Sequence, residues 1–107
     1  MKSLDQLYDA IIERKNGAEQ GSYTNYLFEQ GTDKILKKCG EELTEIVIAA
    51  KNGDNSHTVE EISDLLYHLT VLMIDQGIKP NDVWSELEKR SAKQKNLKQS
   101  HTVDKNT

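Results

Sequence analysis

Cysteine, proline, phenylalanine and tryptophan each occur once in the 107 residues, and no apolar stretch runs beyond a few residues. A lone Cys39 excludes an internal disulfide and a cysteine-based zinc cluster, which fits a reducing compartment. Nothing approaches the roughly 18 apolar residues of a membrane span, and Met1 to Asp5 lacks the apolar core of a signal peptide, so a cytoplasmic protein is expected. Excess positive charge is also missing. The 14 basic and 18 acidic residues give a net charge of -4, the wrong sign for holding nucleic acid by an overall field. A small anionic ligand would need local lysines or a bridging cation. At 107 residues a two-domain enzyme is excluded, and a core this small gains from a partner subunit, so self-association is expected.

With one proline and six glycines, the breakers fall between stretches of helical period, and the chain reads as all-α. Leu4, Leu7, Tyr8, Ile11 and Ile12 mark a first helix with Ser3 as its N-cap. Gly17 to Gly31 holds no sustained period and reads as a structured loop with at most one helical turn; loops of this length are often functional. Thr32 offers an N-cap for a second helix, whose stripe of Ile35, Leu36, Cys39, Leu43, Ile46, Val47 and Ala50 stops at Asn52-Gly53. Thr58 to Glu61 fits a capping box ahead of Val59, Ile62, Leu65, Leu66, Leu69, Leu72 and Met73, a third helix. Pro80 opens a fourth with Val83, Trp84 and Leu87 inward. The expected fold is an antiparallel bundle of about four helices, completed by a homodimer that buries positions such as Leu72 and Met73. Its domain spans residues 1–95, and residues 96–107 form a polar, disordered tail.

The chemistry lies in the second and third helices. Glu42 and Glu45 stand three residues apart beside the apolar stripe, Glu42 nearest the core, and Glu61 and Asp64 repeat the spacing. The short connection from Gly53 to His57 makes these helices antiparallel neighbours, so both acidic pairs can meet in one cleft. Four converging carboxylates repel one another, and a cation resolves the conflict; oxygen ligands without cysteine favour Mg²⁺ or Mn²⁺. The alternative is a pair of ordinary solvated faces, with Lys34 and Lys38 pairing to nearby glutamates. His57 falls in a polar loop, and Cys39 belongs to the apolar stripe. His68, four residues beyond Asp64, has the place of a hydrogen-bonding neighbour rather than a ligand.

Glu41-Glu42-Leu43-Thr44-Glu45 followed by Glu61-Ile62-Ser63-Asp64 resembles the E-E-x-x-E and E-x-x-D pair of the all-α nucleoside-triphosphate pyrophosphatases, the MazG-like superfamily. Gly21-Ser22-Tyr23-Thr24, Gly31 to Ile35, Lys38, Ala49 to Asn52 and Asp64 to Leu69 narrow the resemblance to the phosphoribosyl-ATP pyrophosphatases of histidine biosynthesis, over roughly residues 4 to 90. The resemblance implies hydrolysis of phosphoribosyl-ATP to phosphoribosyl-AMP and pyrophosphate, Mg²⁺ dependence and a homodimer. It implies Glu42, Glu45, Glu61 and Asp64 as metal-site carboxylates, Glu41, Glu45 and Lys38 as catalytic candidates, and Gly21, Ser22, Tyr23, Thr24, Lys34, Lys38 and His68 as substrate-binding candidates. Some relatives carry a cyclohydrolase domain ahead of this one. Here the first helix follows residue 1 directly, so the next pathway step is expected on another polypeptide.

In that reading, lysines and the hydroxyl and backbone donors of residues 21 to 24 contact phosphate while the carboxylates hold the cation. Two alternatives stay open on the sequence: a pyrophosphatase of another nucleotide, such as a modified dNTP, and a non-catalytic helical interaction module.

Overall fold

The computed structural model describes residues 3–17 and 22–100, with side chains as far as residue 94. All its elements are helices: α1 (Leu4–Asn16), α2 (Tyr23–Gln30), α3 (Thr32–Lys51), α4 (Asn55–Gln76) and α5 (Pro80–Ser100). Five helices thus stand where about four were expected. The addition is α2, inside the segment read as a loop. Two turns of helix are too short to display a sustained period, and the helix depends on local caps instead. The Ser22 hydroxyl accepts from the Asn25 amide at 3.1 Å, and Gly31, at φ +90°, ends α2 and leads directly into α3.

Two other helix starts differ from expectation. Helix α3 begins at Thr32 itself, whose hydroxyl donates to Asp75 Oδ2 at 2.7 Å rather than capping its own helix. Helix α4 begins at Asn55, capped by Asp54, whose carboxylate accepts from the His57 amide at 3.0 Å. The Thr58 hydroxyl donates to the Asp54 carbonyl, and His57, assigned to a loop, sits in the first turn of α4. Asp competes well with Thr at an N-cap, and the earlier of the two won. The Ser3 cap on α1 (Gln6 amide to Ser3 Oγ, 3.2 Å) and the Pro80 start of α5 are as read from the sequence.

Only Asn52, Gly53 and Asp54 separate α3 from α4, so the two long helices form an antiparallel hairpin, the most extensive helix pairing in the fold. The core lies at its open end. Ile11, Leu27, Ile35 and Val71, one from each of α1 to α4, are fully buried, with Leu7, Phe28, Cys39, Tyr67, Leu72 and Ile74 around them. Burying each such side chain contributes about 1.5 to 3 kcal/mol. Toward the turn end the small Ala49 is buried, but among the described residues Leu43, Val47, Val59, Ile62 and Leu66 are exposed. Leu72 and Met73, expected to be bare, are half-buried; the uncovered surface lies earlier in the sequence, between Leu43 and Leu66 of the same hairpin.

Helix α5 touches the bundle chiefly through α1. Val83, Trp84 and Leu87, expected inward, are exposed, because none of the described elements covers their side. The radius of gyration, 17.1 Å, exceeds the roughly 13 Å of a compact domain this long, in keeping with a projecting helix. Backbone helix continues to Ser100, past the expected domain end at residue 95 and into the segment expected to be disordered; residues 101–107 of that tail lie outside the described residues.

Helix α4 ends on Gly77 at φ +71°, where the Ile78 amide reaches back to the Met73 carbonyl at 2.8 Å. Gly77→Ala meets no steric neighbour, yet it forces a side chain into the left-handed region. It is expected to cost about 1 kcal/mol, read as a fall of several degrees in melting temperature.

Candidate active site

The α3/α4 hairpin brings Glu42 of α3 against Glu61 and Asp64 of α4, with one oxygen from each within 4.8 Å of the others. Helix periodicity makes this possible: Glu61 and Asp64 are three apart and rise from successive turns of one face, while Glu42 lies opposite. A second trio, Glu45, His57 and Glu61, meets the same distance limit and shares Glu61. Glu61 is therefore the centre of the group. Its Oε1 lies 3.1 Å from His57 Nε2, whereas its Oε2 is buried with no hydrogen-bond partner.

The electrostatics follow from this crowding. Glu42 keeps only 12% of its side chain exposed. Burial, hydrogen-bonding proximity to Glu61 and the charges of Asp64 and Glu61 push its carboxyl up to about 7, against a partial offset from Lys38. A buried carboxylate oxygen with no hydrogen-bond partner, beside two further carboxyl groups, is a donor set suited to a divalent cation bound by oxygen.

Above the carboxylates, α2 docks on α4 through aromatic contacts. Tyr23 Oη lies 2.8 Å from His68 Nε2, and the Thr24 hydroxyl hydrogen-bonds the Tyr67 hydroxyl. His68 is 5% exposed; its Nδ1 stands 2.7 Å from the Asp64 carbonyl and 4.0 Å from Glu42 Oε1. Tyr23 stacks with Tyr26 and Tyr67 at centroid distances of 6.1 and 6.2 Å. Burial first, then Tyr67 and Glu42, raise the Tyr23 hydroxyl above its ordinary value and keep it protonated.

The other candidates divide. Glu45 is exposed and joins the group through Glu61 and His57. Glu41 belongs to neither trio; it lines a shallow, open concavity of about 510 Å³ along α3 with Leu36, Lys37, Gly40, Thr44 and Glu45. Lys38 is near enough to Glu42 to lower its carboxyl, and Lys34 lies 5.9 Å over the Tyr26 ring; among the described residues neither forms an ion pair with Glu41 or Glu45. Ser22 caps α2, and Gly21 lies outside the described residues. Cys39 is half-buried against the core, its thiol pushed up by burial. His57 is the residue that sequence reasoning missed. Its signal was the i, i+4 spacing to Glu61, legible only once Asp54 is taken as the cap.

Comparison with known proteins gives a consistent result. The family described as phosphoribosyl-ATP pyrophosphohydrolase matches residues 4–91. A phosphoribosyl-ATP pyrophosphatase of Streptococcus thermophilus is 51% identical over 94 residues, covering 88% of this chain and 90% of that protein. One from Clostridium botulinum is 50% identical over 103 residues, 95% of this chain and 94% of the relative. The histidine biosynthesis bifunctional protein of Thermoanaerobacter pseudethanolicus is 56% identical over 85 residues, 79% of this chain and 39% of that longer protein.

The raised Glu42 carboxyl sets a pH dependence. Its folded pKa, about 7, lies above the unfolded value near 4.5, so its contribution to stability is complete below about 4.5 and lost as pH rises through 7. Without divalent cations the melting temperature should fall by several degrees from pH 5 to pH 8. Glu42→Gln should flatten much of that slope, and Mg²⁺ at pH 8 should restore stability to the wild type. Thermal melts across that range, with EDTA and with Mg²⁺, make the check.

Proposed function

We infer from the carboxylate geometry, in a chain that belongs to the phosphoribosyl-ATP pyrophosphohydrolase family, that the protein hydrolyses phosphoribosyl-ATP to phosphoribosyl-AMP and pyrophosphate, in histidine biosynthesis. Water is consumed, and the anhydride between the α- and β-phosphates is broken. The observation that carries the reading is the orphaned, buried Oε2 of Glu61, the residue that groups with Glu42 and Asp64. In a stable fold such an atom wants a partner, and a divalent cation supplies one.

We assign Mg²⁺ to Glu42, Glu61 and Asp64, with Glu45 and His57 at the open edge. When bound, the ion neutralises charge on the phosphate oxygens and on departing pyrophosphate. The chain's own groups do the rest. Glu45, exposed and grouped with Glu61, orients water in this reading. Lys34 and Lys38, one turn apart on α3, present ammonium groups to the phosphates. The α2 docking fixes the position of Ser22 at the start of that helix; Thr24 is buried, its hydroxyl bonded to Tyr67, and so holds α2 in place rather than meeting phosphate.

A homodimer and a cytoplasmic location complete the proposal. The bare turn end of the hairpin and the exposed Val83, Trp84 and Leu87 of α5 support the dimer, since an apolar surface of this extent on a small domain is an interaction surface. Among the described residues no helix is long and apolar enough to cross a membrane.

Asp64→Asn keeps size and helix position and removes one charge. Pyrophosphate release from phosphoribosyl-ATP in Mg²⁺ should fall about a hundredfold or more, with the Mg²⁺-induced rise in melting temperature reduced and stability in EDTA unchanged or higher. A near-normal rate would remove the metal-site reading. Sedimentation at assay concentrations should give twice the 12.2 kDa chain mass, and Leu66→Glu, on the exposed face, should shift it toward monomer.

A further inference from the structure

His68 is buried, and both of its ring nitrogens are engaged. The Asp64 carbonyl can only accept, so Nδ1, 2.7 Å away, carries a proton. In the tautomer with its proton on Nδ1, Nε2 is an acceptor, and the Tyr23 hydroxyl, 2.8 Å away, donates to it. The hydroxyl is thereby committed. Its hydrogen points at His68 and is not available to a phosphate oxygen.

We propose that His68 is a positioning residue that acts through Tyr23: it accepts the tyrosine's hydrogen bond and so clamps the first turn of α2 onto α4, one turn from the Asp64 carboxylate. This replaces direct substrate contact as the role of His68, and hydrogen-bond donation to phosphate as the role of Tyr23. Three observations converge on it. The ring is 5% exposed and has no free nitrogen. A parallel link, Thr24 to Tyr67, joins the next residue of α2 to the preceding residue of α4. His68 Nδ1 also stands 4.0 Å from Glu42, so the clamp touches both helices that carry the carboxylates. What is positioned is the start of α2, with Ser22, relative to the carboxylates.

The kinetic part of this assignment rests on the pyrophosphohydrolase reading; the structural part does not. Tyr23→Phe deletes only the donated hydroxyl from a half-exposed ring, and it should fold. It should raise KM for phosphoribosyl-ATP about three- to tenfold, the worth of one hydrogen bond, with kcat changed less than twofold. The Mg²⁺-induced rise in melting temperature, measured without nucleotide, should stay as in the wild type. His68→Leu should reproduce the KM effect, and the double variant should be no worse than the poorer single one. His68→Gln, which keeps an acceptor for Tyr23, should retain more affinity than His68→Leu. Amide exchange over residues 23–30 should quicken in Tyr23→Phe whatever the substrate is. A wild type inactive on phosphoribosyl-ATP would defeat the functional reading and leave the exchange result to judge the clamp. Wild-type exchange in Tyr23→Phe, an unchanged KM in an active enzyme, or additive losses in the double variant would overturn it.

Discussion

Three carboxylates held within 4.8 Å of one another, one of them with a buried oxygen that no donor meets, are the constraint to which the other elements answer. Left alone, such a group opposes folding through desolvation and mutual repulsion. The hairpin must therefore be held together by something other than its middle, and it is: the Asn52 to Asp54 turn closes one end covalently, while the four-helix core clamps the other. The acidic centre is suspended between these two fixed points. A proton on Glu42, whose carboxyl is pushed up to about 7, relieves it in part, and a bound cation would do so once Glu42 ionises.

The uneven distribution of apolar surface follows from the same plan. Helices α1 and α2 cover the open end and cannot also cover the turn end, because together they amount to 21 residues of helix against the 42 of α3 and α4. Leu43, Val47, Val59 and Ile62 therefore stay bare within one chain. A second hairpin laid against this one removes the deficit without lengthening the polypeptide.

Most of this architecture was legible in the sequence, and each failure has its own physical cause. Helices α3 and α4 declare themselves by three or more turns of apolar period, and the acidic pairs by their spacing. Helix α2 has eight residues, too few for a period, and exists because Ser22 and Gly31 bracket it and Leu27 is swallowed by the core. The start of α4 was misread because Asp54 and Thr58 both make acceptable caps, and one turn of error moved His57 from helix to loop. Val83, Trp84 and Leu87 were assigned inward because a stripe shows that a face is apolar without showing that anything in the same chain lies against it. The docking of Tyr23 on His68 joins residues 45 apart, a pairing that no local pattern encodes.

Gly31 is the only residue between α2 and α3, which turns the eight-residue helix into a lever about 12 Å long with its fulcrum at the glycine. A tilt of about 10° at that end sweeps the tip through about 2 Å, enough to break a hydrogen bond. The buried Leu27 grips the arm partway along it, where leverage against tilting is smaller. Tyr23 and Thr24 grip it at the tip. Two hydrogen bonds of ordinary strength, applied where the arm is longest, thus fix the angle of α2 more tightly than the same bonds would near its pivot.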